Sequence, residues 1–172
     1  MCNNKSVKCN SEILHIPYFE EVLSTTILCE NCNYRYSDVL ITSQNKPMEY
    51  KYKITSIDDM KIRVIRSSTA TIELPELGIK IEPAAASEAF ISNIEGVLVR
   101  AAYVIEQAIR FAGENKKKDR GKQILKLIEQ LRNGKGSATL IIKDPMGNSG
   151  IVSEKTEKRE LGPTEVESLE II

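Results

Sequence analysis

The 172-residue chain has no tryptophan, one histidine, and only three phenylalanines and six tyrosines. Its core must therefore be built mainly from aliphatic side chains. A single histidine, His15, excludes any multi-histidine metal centre of the cupin type. An excess of either charge is also missing. Lysine plus arginine and aspartate plus glutamate number 24 each. That balance argues against a dedicated nucleic-acid binder, which usually carries a marked positive excess. No run approaches the about 18 apolar residues that a membrane span needs. No signal peptide precedes the first cysteine. Neither a Walker-type phosphate loop nor a Gly-x-Gly-x-x-Gly motif is found, and no catalytic constellation stands out. A binding protein is expected, not an enzyme.

What is present is concentrated near the N-terminus. All four cysteines fall within the first 32 residues. Without a secretion signal, such clustering reads as metal ligation in a reducing cytoplasm, not as a disulfide framework. Cys29 and Cys32 are two residues apart, the spacing of a zinc knuckle, where a tight turn aims both sulfurs at one ion. Val22–Leu28 is a β-prone run that ends at Cys29, as strands do in zinc ribbons. Asn33 follows where positive φ is wanted, and asparagine tolerates it better than most residues. Cys2 is the best partner for this pair. The fourth ligand is open. Met1 and Cys2 would close a Cys-Pro-x-Cys knuckle if translation started upstream, or Cys9 could supply the thiolate. His15 could ligate in principle.

The remainder divides by periodicity. Residues 1–42 read as the metal module, with β-prone runs at Ile16–Phe19 and at Tyr34–Leu40. From 43 to 152 a β domain is expected. Its short strands are Met48–Ile54, Met60–Ile65, Ala70–Leu74, Leu77–Pro83 and Ala138–Ile142, the last continuing through Ile151 and Val152. Such close spacing suggests a sandwich, a barrel or a double-stranded β-helix. Between them, Leu98, Ala101, Val104, Ile105, Ala108, Ile109 and Ala112 recur at helical spacing. Ile124, Leu127, Ile128 and Leu131 do the same, so a helical hairpin is placed at about residues 94–133. Asp144-Pro145-Met146-Gly147 is a type I turn signal. The charged residues 153–172 are expected to be a mobile tail. The fold class is α+β, mainly β.

Four residues outside the metal module are candidates for partner binding. Arg63 and Arg66 could meet an anion or an acidic partner, although exposed strand charges explain them as well. Asp144 and Asn148 could bind a ligand, although turn stabilisation accounts for them equally. The basic cluster Lys116, Lys117, Lys118, Arg120, Lys122 and Lys126 lacks interleaved aromatics, so it offers no stacking platform for nucleic acid.

These motifs together resemble the ZPR-type zinc-finger family. The N-terminal likeness runs through Ile16-Pro17-Tyr18-Phe19, Glu21-Val22, and Cys29 to Arg35. It continues with Arg63-Val64-Ile65-Arg66-Ser67-Ser68, Ala70-Thr71-Ile72, Pro75-Glu76-Leu77-Gly78 and Ile81-Glu82-Pro83. Ile94-Glu95-Gly96 and Asp144-Pro145-Met146-Gly147-Asn148-Ser149 complete it, in family order, over residues 2–152. The chain departs from the family in lacking the leading cysteine of the first pair. Asn33 and Ala84 also replace glycines, and Met146 stands where serine is common. The resemblance implies a zinc ribbon followed by a double-stranded β-helix-like domain with an inserted helical hairpin, in the single-unit form of archaeal members. It also implies zinc as the cofactor and a cytoplasmic protein that binds translation elongation factor 1-alpha and assists its folding. A nucleic-acid-binding or transcription-associated zinc ribbon is the alternative.

Overall fold

A computed structural model describes residues 2, 6–15, 21–41, 45–84 and 87–169. The Ile16–Phe19 run lies outside these residues.

The first three strands are β1 (Val7–His15), β2 (Glu21–Cys29) and β3 (Arg35–Ile41). They form one antiparallel sheet in the order β1-β2-β3. Val7 pairs with Cys29 and His15 with Glu21, so the β2–β3 turn and the far end of β1 sit at opposite ends of the sheet. Small hydroxyl residues meet across the strands, Ser11 with Thr25 and Thr26 with Ser37.

The second unit is a two-sheet β structure with helices. Its larger sheet has the order β11-β4-β9-β6-β7. Those strands are β4 (Met48–Ile54), β6 (Thr71–Leu74), β7 (Ile79–Ile81), β9 (Ala138–Asp144) and β11 (Glu157–Glu160). The smaller sheet has the order β10-β5-β8, from β5 (Arg63–Arg66), β8 (Phe90–Asn93) and β10 (Gly150–Ile151). Alternation explains the pairing at the centre. Along β9, Ala138, Leu140 and Ile142 face inward, and Tyr50, Tyr52 and Ile54 of the neighbouring β4 do the same. Val64 and Ile151 join the same apolar cluster from the smaller sheet.

The helical hairpin comprises α1 (Ile94–Phe111) and α2 (Asn115–Arg132). Asn93 caps α1 by accepting from the Gly96 amide at 2.8 Å, which sets the start of the helix at Ile94. Its buried face is Ile94, Val97, Leu98 and Ala101, which meets Ile128 and Leu131 of α2 in the common core. Val104 belongs to the predicted stripe but is exposed. Phe111 near the hairpin tip is 86% exposed.

Two expectations are corrected. The stretch predicted as a strand from Met60 opens instead as a 3-10 turn (Asp58–Lys61), and β5 begins only at Arg63. Asp59 causes this. Its carboxylate accepts from the Thr55 and Ser56 amides and from the Tyr52 hydroxyl at 2.7–2.8 Å, and so holds the chain in a turn. The second correction concerns the charged C-terminal segment, which is not a mobile tail. Its strand β11 pairs with the β4 edge, and α3 (Pro163–Glu167) follows. Leu161 and Leu169 are buried. Arg159 holds the segment through Glu49 and Glu165, each at 2.8 Å.

Candidate metal centre

Cys29 is the last residue of β2, and the turn through Cys32 reverses the chain into β3. Asn33 takes the left-handed conformation, with φ of 55°. This closes the turn so that the Cys29 amide donates to the Tyr34 carbonyl at 2.8 Å. The Glu30 amide donates to the Ser6 carbonyl at 3.1 Å and draws the N-terminal segment against the knuckle. That contact helps bring Cys2 to the pair. The Cys2 and Cys29 sulfurs are 3.6 Å apart, and the sulfurs of Cys2, Cys29 and Cys32 all lie within 4.8 Å of one another.

Thiolates on tetrahedral zinc, with Zn–S near 2.3 Å, stand roughly 3.8 Å apart. The three cysteines therefore fit a zinc ion. Their electrostatics agree. The Cys32 and Asn31 amides donate to Cys29 and, against some burial, lower its pKa to about 6. Cys32 moves the other way. The Tyr34 amide lowers it, but hydrogen bonding with the Cys2 and Cys29 sulfurs and burial outweigh that and raise it. Three neighbouring thiols resist sharing their negative charge without a cation between them.

Cys9 is not in this group. It lies exposed on β1 opposite Ile27, roughly 7 Å along the strand from the level of Cys29, with its sulfur near Ser11. His15 ends β1 at the opposite end of the sheet, eight strand residues beyond Val7, or roughly 27 Å from the level of Cys29.

A profile of the ZPR1 zinc-finger domain matches residues 1–47, and one of the ZPR1 jelly-roll domain matches residues 58–168. The chain belongs to the ZPR1 family. An uncharacterised ZPR1-like protein of Pyrococcus horikoshii is 43% identical over 98% of this chain and 78% of its own length. One of Methanocaldococcus jannaschii is 43% identical over 92% of this chain and 80% of its own. A zinc finger chaperone of Schizosaccharomyces pombe is 27% identical over 86% of this chain, which spans 34% of that relative. The ZPR1 zinc-finger assignment and the three-cysteine group agree on a metal-binding ribbon, and the jelly-roll assignment agrees with the two-sheet domain.

The ZPR1 jelly roll treats the four predicted partner-binding residues differently. Arg63 is exposed on β5 and open to a partner. Arg66 is only 5% exposed. Its Nε donates to the Ala70 carbonyl at 3.1 Å and its Nη1 to the Glu88 carbonyl at 3.3 Å. Asp144 is 0% exposed. It accepts from the hydroxyls of Ser67, Thr69 and Ser149 and from the Met146 amide, which leaves it no role on the outer surface. Asn148 is half-buried, and its Oδ1 is buried without a hydrogen-bond partner. The Arg-Ser-Ser and Asp-Pro-Met-Gly-Asn-Ser motifs thus interlock inside the domain.

Proposed function

We propose that this protein is a non-enzymatic, zinc-dependent folding factor that binds translation elongation factor 1-alpha in the cytoplasm. The observation that carries this reading is the likeness, over 86% of the chain, to a relative named a zinc finger chaperone. The family resemblance in the sequence supplies the client. The surface of α1 is compatible with a protein partner, because Val99, Tyr103, Val104 and Phe111 leave large apolar side chains exposed on it. The formal net charge of zero weighs against nucleic acid as the main partner. Among the described residues, no helix is long and apolar enough to cross a membrane.

The role proposed for the zinc ribbon is structural. Thiolate ligands brace the β2–β3 turn, and specificity resides in the domain that follows. The test is capture of the cognate elongation factor 1-alpha by the tagged protein, sampled during refolding of the factor as well as at equilibrium. A complex at either stage supports the reading. Its absence at every stage refutes it.

A further inference from the structure

β1 is an outer strand of the ribbon sheet, and among the described residues no strand pairs with its far edge. Every residue from Val7 to Ile13 is exposed, and the aliphatic Val7 and Ile13 are each 55% exposed. Natural edge strands discourage pairing with proline, bulges, several like charges or a covering segment. β1 contains neither proline nor glycine. Its register with β2 runs unbroken from Val7 to His15, which leaves no bulge.

Alternation decides which backbone groups face the open edge. The Ser6 carbonyl accepts from the Glu30 amide, so the backbone at Ser6 turns toward the β2 side. In an antiparallel pair, bonded and non-bonded positions alternate, so Lys8, Asn10 and Glu12 turn the same way. Val7, Cys9, Ser11 and Ile13 therefore present their N–H and C=O groups outward.

A second copy of the strand fits this edge in one register. A twofold axis normal to the sheet brings two β1 strands together antiparallel, with the same face of each on the same side. An axis at Asn10 sets Val7 against Ile13 of the other copy, Lys8 against Glu12, and Cys9 against Ser11. The exposed aliphatic residues then meet in bonded pairs, and opposite charges meet on both sides of the axis. An axis at Ser11 would set Lys8 against Leu14, and one at Cys9 would set Lys8 against Asn10 and Val7 against Ser11. An axis at Lys8 or Glu12 would bring like charges together. Lys8 already contacts Glu30 at 2.6 Å, but both side chains are more than half exposed. An ammonium has three donors and can serve a second carboxylate.

We propose that two copies of this chain associate edge to edge through β1, with the axis at Asn10, so that their three-stranded ribbon sheets become one. Strand addition of this kind takes its affinity from main-chain hydrogen bonds and its specificity from the side chains on alternate positions. The antiparallel arrangement leaves the two Cys29 knuckles at opposite ends of the contact, because Cys29 is level with Val7. The inference does not rest on the chaperone reading, so either can fail without the other.

Sedimentation velocity of the full-length, zinc-loaded protein tests this, from about 1 μM to about 1 mM. Growth from 19.3 kDa to twice that mass is expected as concentration rises. One strand pair is a small interface, so the dimer should dissociate on dilution. Ser11→Pro removes an outward N–H that β2 does not use, and should weaken the dimer at least tenfold while the monomer stays folded. Glu12→Lys should weaken it at least tenfold as well, and adding Lys8→Glu should restore it. Asn10→Cys in a Cys9→Ser background brings two introduced thiols face to face, and mild oxidation should join the copies there. Monomers at every concentration overturn the proposal. A dimer indifferent to Ser11→Pro but lost on Phe111→Ser also overturns it, in favour of a contact through α1. Failure of the charge exchange to restore the dimer does the same.

Discussion

The Ser149 hydroxyl donates to the Asp144 carboxylate at 2.6 Å in the interior of the jelly roll. The same hydroxyl accepts from the Ser67 amide at 2.9 Å, so the turn after β9 and the end of β5 are joined through one oxygen. Ser67 and Thr69 complete the network on Asp144 from 77 and 75 residues away in sequence. Removing the carboxylate strands several buried donors. Asp144→Asn is expected to lower unfolding free energy by about 3 kcal/mol, and Ser149→Ala by about 1–2 kcal/mol. Urea denaturation measures both. The double variant should lose less than the sum, because the two changes remove a shared interaction.

The turn that positions Asp144 ends at Gly147, where φ is +67°. A Cβ built there would lie 2.2 Å from the Lys46 carbonyl oxygen. Gly147→Ala therefore meets both a left-handed backbone and a backbone atom that cannot swing aside. It should cost about 2 kcal/mol or more, read from the same denaturation curves.

The Asp59 turn gives a pH dependence. Burial works to raise the pKa of this carboxyl, but the Thr55 and Ser56 amides and the Tyr52 hydroxyl outweigh it and hold the group at about 2, against an ordinary 3.8. A carboxylate whose folded pKa is depressed contributes stability above its unfolded pKa. That contribution is lost as pH falls from about 4 to 2. The stability of wild type should decline through this window more steeply than that of Asp59→Asn, which should start lower at neutral pH by about 2 kcal/mol. Parallel declines in the two proteins would contradict the assignment.

Much of the architecture is legible from local pattern. The Cys29–Cys32 spacing, the β4 alternation and the Asp-Pro-Met-Gly turn each announce themselves within a few residues. The unreadable parts depend on distant partners. Asp144 looks like a surface turn residue until Ser67 and Thr69 are brought onto it. β8 is four residues long and runs straight into α1, so it leaves no period of its own. The C-terminal segment reads as tail because its strand is entirely exposed and charged. Leu161 and Leu169 are its fixed apolar points, and Arg159 finds Glu49 across 110 residues. No signal in the sequence marks Arg66 as buried, since arginine on a short strand is ordinarily solvated.

That segment supplies another prediction. A chain ending at Ser153 loses the strand covering the β4 edge together with two buried leucines. Burial of a leucine contributes about 1.5–3 kcal/mol, so a loss of roughly 3–6 kcal/mol is expected for the two. Arg159→Ala removes the ion pairs to Glu49 and Glu165 but leaves both leucines in place, and should cost clearly less than the truncation. Thermal melts of the two variants separate these effects. The exposed β4 edge should also make the shortened chain prone to association.

The central claim concerns the metal, and native mass spectrometry of the purified protein and its single cysteine variants tests it most directly. One zinc per chain is predicted for the wild type and for Cys9→Ser, whose thiol stands apart on β1. Loss or marked weakening of zinc is predicted for Cys2→Ser, Cys29→Ser and Cys32→Ser. Zinc retained by Cys2→Ser but lost from Cys9→Ser would contradict the account.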